Sequence, residues 1–183
     1  MRLLILAFAA LFLASNAAAQ IAEEDREAAL VDAFQRLRDA PTGDAAETAE
    51  AEVWAIWFIG PDTDATVRLK DAVSALQSGS FDEARVLLEW LTAERPDFTE
   101  AWNQLAFARF LLGDLDGSLL DIERALAREP RHFGALAGKA QIEMRRGDGA
   151  AAARTVGALG VYHPWMARWS PILADPPPPP APL

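Results

Sequence analysis

The side chains best suited to chemistry in this 183-residue chain are few and oddly placed. There are two histidines, no cysteine, and 27 acids against 17 bases. Each histidine adjoins a helix-breaking proline, His132 in EPRH (129–132) and His163 in YHP (162–164). A zinc site takes roughly three or four ligands at suitable spacing, and nothing beside either histidine supplies them. A lone histidine at such a junction reads as a hydrogen-bonded helix cap. The lack of cysteine removes disulfides, thiolate metal sites, a cysteine nucleophile and the lipid-modified cysteine of a bacterial lipoprotein. No phosphate-binding glycine loop, nucleophile elbow or recognisable catalytic carboxylate pair occurs. The segment LLGDLDGSLLDIERALAREP (111–130) holds five acids, yet they fall where helices start. The expectation is a protein without catalytic residues, cofactor or metal.

The charge balance narrows the partners. A formal net charge of −10 opposes nucleic-acid binding, which depends on a basic footprint that displaces counterions from phosphates. It equally opposes docking on an anionic lipid surface. Half of the residues are apolar, 51%, enough for one domain with a real core. Residues 1–19 resemble a secretory signal peptide: Arg2, an apolar stretch from Leu3 to Ala14, and Ala17-Ala18-Ala19 before Gln20. The stretch is shorter than the roughly 20 apolar residues of a membrane-spanning helix. An exported, soluble, periplasmic protein is expected, with no membrane insertion after cleavage.

The elements that would carry any site come from a repeat. Shifted by 34 residues, Gly79, Gly113 and Gly147 coincide, as do Pro96, Pro130 and Pro164, and Ala72, Ala106 and Ala140. Ala84, Ser118 and Ala152 are all small; Leu88, Ile122 and Val156 are all aliphatic; Leu76, Phe110 and Met144 are large and apolar. Such a period marks a stack of helix pairs. Each glycine can take a left-handed conformation that ends one helix. Ser80, Asp114 and Asp148 follow as N-caps of the next helix, and Ser80/Glu83 and Asp97/Glu100 have capping-box spacing. The small residues let paired helices cross closely, and each proline stops one helix and presets the next.

These residues resemble the tetratricopeptide repeat, and the copy at 99–132 matches best, with Trp102, Leu105, Ala106, Gly113, Ser118, Ile122, Ala125 and Pro130. The copies at 65–98 and 133–166 keep glycine, small residues and proline. They carry Arg68 and Leu136 for the tryptophan, and Asp71 and Lys139 for the leucine; the usual tyrosine is Ala75, Arg109 and Glu143 in the three copies. The resemblance implies an all-α fold, a right-handed superhelical stack of antiparallel helix hairpins (a TPR-like α-solenoid). It also implies a concave groove lined by the first helix of each pair. The implied groove positions are Glu100, Asn103, Gln104, Phe107, Phe110 and Leu111, flanked by Lys70, Val73 and Gln77 and by Gln141, Met144 and Arg145. Phe107 and Phe110 fit either groove or core. The subgroup that clamps a peptide's terminal carboxylate uses a lysine, asparagine and arginine set. Leu69, Val73, Gln104, Gly134 and Gly138 stand in those places, so binding of that kind is not expected.

Flanking the repeats, residues 21–39 read as an amphipathic helix with Leu30, Phe34 and Leu37 on one face. A second helix would carry Trp54, Trp57 and Phe58, with Asp44 and Glu47 as a capping box. Residues 20–64 are therefore expected to form a degenerate hairpin capping the stack, its tryptophans a packing seam or a ligand platform. Residues 20–66 hold 12 acids and 3 bases, against 15 and 13 in 67–183; this acidic end is a solvated face or a docking surface for a basic partner. Beyond the repeats, Trp165, Met166 and Trp169 would cover the open end, 167–175 being a short cap. The proline-rich tail, 176–183, is a spacer or a recognition peptide in polyproline II form. Two functions follow from the resemblance. One is a protein-interaction module of the cell envelope that binds a partner's peptide or helix in the groove. The other is a fixed structural subunit of an envelope complex, docked through the acidic cap and outer faces. Either way the partner is a protein or peptide.

Overall fold

A computed structural model describes residues 24–169; the expected signal segment and proline-rich tail lie outside the described residues. Helix α1 covers 24–39. It is followed by α2 (Gly43–Trp57), α3 (Thr63–Gln77), α4 (Phe81–Glu94), α5 (Thr99–Leu111), α6 (Leu115–Arg128), α7 (Phe133–Arg145), α8 (Gly149–Tyr162) and α9 (Pro164–Trp169). No strand occurs among the described residues. Helices α3/α4, α5/α6 and α7/α8 are three hairpins packed one on the next, and the boundaries of corresponding helices repeat at the expected interval except that α3 begins two residues early. Ala72, Ala106 and Ala140 are buried where each pair crosses, facing buried Ala84, Ser118 and Ala152. Ser118 Oγ donates to the Ala106 carbonyl at 2.7 Å, which satisfies the hydroxyl inside the crossing.

The turns work as the repeat requires. Gly79, Gly113 and Gly147 have φ of 81°, 84° and 78°, a region that L side chains enter at a cost. Asp114 and Asp148 cap the second helices through Gly117 N and Ala151 N at 2.9 and 2.8 Å. Ser80 does not: its backbone resembles theirs, but its hydroxyl has no capping bond and lies beside the Ser78 hydroxyl. Thr42, whose hydroxyl arm is of the same length, makes this bond to Ala45 N from an extended backbone (φ −137°, ψ 163°), whereas Ser80 stands at φ −82° and ψ 61°. Two expected capping boxes also fail. Helix α2 is capped by Thr42 rather than Asp44. Helix α5 begins with Phe98 in the cap position, its ring buried, so Asp97 stands one residue too early. Glu100 is then free for another use.

Two of the three tyrosine positions, Arg109 and Glu143, are refilled by polar links between paired helices, while the third is a buried alanine, Ala75. Arg109 donates to Asp121 at 2.6 Å and reaches Glu89 of the preceding hairpin at 3.0 Å. One repeat later, Thr155 donates to Glu143 at 2.7 Å.

The N-terminal hairpin departs most from expectation. Leu30, Phe34 and Leu37 of α1 and Ala46, Ala49, Val53 and Trp57 of α2 share one core with Phe133, Leu136 and Leu159 of the third repeat. Trp165 and Met166 of α9 close the same core, as the sequence suggests, but α9 starts at Pro164, earlier than the cap expected at 167. Only Phe58 joins the core around the first repeat. The hairpin thus folds onto the third repeat rather than extending the stack before the first. The stacking positions explain why. Ala101, Leu105 and Ala108 of α5 are buried against the first hairpin. Their counterparts on α3 are Val67, Asp71 and Ser74, all exposed. A polar outer face of this kind ends a helical stack.

The left-handed turn gives a direct test. A Cβ on Gly113 would meet no other heavy atom within 4 Å, so substitution there acts on the backbone alone. Gly113→Val should lower the unfolding free energy by about 1–2 kcal/mol with the helix content unchanged, measured by urea denaturation.

Candidate functional site

The site begins with a buried pair of polar side chains. Glu100 and His132 are both fully enclosed, and His132 Nε2 lies 2.8 Å from Glu100 Oε2. His132 Nδ1 accepts the Ala135 amide at 3.2 Å, capping α7. With Nδ1 accepting, the ring proton sits on Nε2 and is donated to Glu100. The indole of Trp57 stacks on the imidazole, with centroids 4.0 Å apart and planes at 9°. The other oxygen of Glu100 accepts from Asn103 at 3.2 Å and Gln104 at 2.6 Å. His163 repeats the device: its Nδ1 accepts the Met166 amide at 3.0 Å, and its Nε2 lies 3.1 Å from Glu50. Both histidines are helix caps, and each also ties down a carboxylate from a distant element.

Asn103 and Gln104 each give one amide hydrogen to Glu100 and keep their carbonyl oxygens unengaged among the described residues. Both line a cavity of about 310 Å³ between α5 and α7. Phe107 and Phe110 form its apolar side, Ser118 and Ile122 its floor, and Gln141 the facing amide. Gly134 and Gly138 on α7 hold the space open. A Cβ on Gly138 would come within 3.3 Å of Ile122 Cδ1. A mid-helix glycine costs roughly 0.5–1 kcal/mol relative to alanine, so the missing side chain sacrifices helix stability for room. At Gly134 the space is already used: a Cβ there would lie 2.6 Å from the Trp54 ring. That indole, held by Glu50 at 3.1 Å and packed edge-on to Phe133, forms one end of the cavity.

Of the expected groove residues, Asn103, Gln104, Phe107, Phe110 and Gln141 come together in this cavity. Phe107 is 48% exposed, whereas Phe110 is 9% exposed and belongs to a core cluster as well as to the wall. Glu100 is not a groove residue; it lies beneath the wall and orients the two amides. Lys70 and Gln77 are exposed on α3, away from the cavity lining, and Val73 packs against the first repeat's core. Leu111 is exposed outside the lining, and Met144 packs beside Ala140 and Val156. Arg145 lies just beyond the lining with its guanidinium 4.0 Å from the Phe110 ring centroid. Sequence reasoning missed Trp54 as a wall, because its placement depends on where the hairpin folds. The tryptophans serve as a packing seam, and Trp54 is part of the cavity too.

The acids of the N-terminal hairpin are partly engaged inside the molecule. Arg131 pairs with Glu27 at 2.8 Å and Glu129 at 2.7 Å. The His163 hydrogen bond holds the Glu50 carboxyl below its ordinary value of 4.5; burial opposes the shift and the Trp54 indole supports it.

A stack of helix hairpins with a lined cavity defines the class: an all-helical repeat protein. Its repeats are tetratricopeptide-like, and the chain is similar to a TPR repeat-containing protein of Rhizobium etli. The two are 31% identical over 115 residues, 63% of this chain and 56% of the relative. The match thus spans little more than half of that relative's length. No model of a known family matches the chain.

Two measurements test the buried links. Glu100→Ala strips His132, Asn103 and Gln104 of their acceptor and should cost about 3 kcal/mol. Combined with His132→Ala, the double variant should lose less than the sum of the singles; strict additivity would mean the pair is uncoupled. The lowered Glu50 pKa means that the folded state binds this proton less readily than the unfolded one. Its contribution is therefore present above the ordinary value of 4.5 and disappears as pH falls through the depressed one. Glu50→Gln should accordingly lose less stability than wild type between neutral pH and about pH 3, followed by thermal unfolding.

Proposed function

We propose that the protein is an adaptor of the cell envelope that binds an extended peptide segment of a partner in the concave cavity. The observation that carries this reading is the cavity itself: an aromatic wall, exposed at Phe107, facing amide side chains with unengaged oxygens. An extended backbone presents alternating donors and acceptors, and primary amides supply both. The apolar wall and the empty volume beside Gly138 take a side chain. Pockets that bind ligands combine such an apolar lining with a few placed polar groups.

The envelope setting rests on the signal-like residues 1–19. Among the described residues no helix is long and apolar enough to cross a membrane. The second reading, docking through the acidic hairpin, draws less support because Glu27 and Glu50 are already paired within the molecule.

Crosslinking in native periplasm tests the reading. The wild-type chain should capture a partner, and both Phe107→Ala and Gly138→Leu should lose it while melting within a few degrees of wild type. An unchanged partner list for both variants would refute groove binding.

A further inference from the structure

Among the expected groove residues of the three first helices, Lys70 on α3, Glu100 on α5 and Arg145 on α7 are ionisable. Glu100 is sealed beneath the wall and bonded to His132. The ionisable side chain of this set that adjoins the cavity is therefore a cation, Arg145, in a chain whose formal net charge is −10. That contrast is local. It matters because charge complementarity selects partners and speeds their encounter.

Arg145 is the cation next to the cavity. Gly134, Gly138, Gln141 and Arg145 follow one another at four-, three- and four-residue steps, a single stripe of α7. The first three line the cavity, so the stripe runs directly from it to Arg145. The guanidinium lies over Phe110, itself a cavity wall. Arg145 makes no ion pair among the described residues, whereas Arg109, Arg131 and Arg146 all do. Its Nε is buried without a hydrogen-bond partner. A buried donor left unmade is expensive, and a planar guanidinium pre-placed on an aromatic face is suited to a carboxylate.

We propose that the segment bound in this groove carries a carboxylate, which pairs with Arg145 while an apolar side chain of the same segment fills the cavity beside Phe107 and Gly138. This deepens the groove reading above and rests on it. The recognised chemistry is an extended, apolar and acidic peptide. The carboxylate is that of an aspartate or glutamate side chain, since the positions that clamp a terminal carboxylate hold Leu69, Val73, Gln104, Gly134 and Gly138 here.

The test is selection of random dodecapeptides by the full chain, from one library with blocked C-termini and one with free C-termini. Peptides enriched from the blocked library should pair an apolar residue with Asp or Glu at a fixed separation. Arg145→Gln should abolish the acidic preference, with at least a tenfold loss of affinity for a synthetic hit, and keep the apolar one. Enrichment confined to the free library would overturn the proposal in favour of a terminal carboxylate. Enriched apolar peptides without acidic preference would overturn the Arg145 proposal and leave groove binding standing. No enrichment from either library would overturn both, and so would hits that Gly138→Leu binds equally well.

Discussion

The buried hydrogen bond between Glu100 and His132 is where the separate parts of this molecule meet. His132 ends the second repeat, caps the first helix of the third, and receives the Trp57 indole on its face. Glu100 reaches it from α5 and, with its other oxygen, holds the amides of Asn103 and Gln104. One carboxylate therefore connects repeat stacking, the docking of the N-terminal hairpin and the orientation of two cavity side chains. Such a group is tolerated in a dry interior only when its lone pairs are satisfied. Here three donors do so, and any shift of α5 against α7 would break at least one of those bonds.

The second constraint is the fold-back of the N-terminal hairpin. A short stack has two open ends, and this chain treats them differently. The first repeat ends in polar stacking positions, Asp71 and Ser74, and needs no cover. The third repeat presents Phe133, Leu136 and Leu159, which α1, α2 and α9 bury. Around this apolar core run Arg131 to Glu27, His163 to Glu50, and the Trp165 indole to the Ala40 carbonyl. The start and end of the described chain are thereby joined, and the cavity gains Trp54 as a wall. Binding and the closure of the stack share these residues, so changes in the hairpin will reach the groove.

Much of the local structure was legible. The glycine turns, the crossing alanines, the aspartate caps and the amphipathic faces of α1 and α2 follow from residue type and spacing. Capping failed as a guide where side-chain reach or a competing partner decided. The Ser80 hydroxyl pairs with Ser78 instead, Phe98 takes the cap position for its ring, and Glu100 is claimed by His132. The hairpin's destination was partly written at Asp71, a departure from the repeat that marks a finished end. Asn103, Gln104, Phe107, Phe110 and Gln141, which line the cavity, coincide with groove positions that the tetratricopeptide resemblance implies, because a fixed register places the same positions on the same face of each helix.

The sequence by itself determined the repeat, its period and its turns, because these depend on short-range constraints: left-handed glycines, proline stops and helical periodicity. Only the tertiary structure decided which end of the stack the N-terminal hairpin covers, and hence that Trp54 closes the cavity. Only it showed that Glu100 is sealed under the wall while Arg145 stays unpaired beside Phe110. Those outcomes depend on contacts across thirty to more than a hundred residues. There, shape and the cost of leaving buried polar groups unsatisfied choose between partners that local pattern makes equivalent.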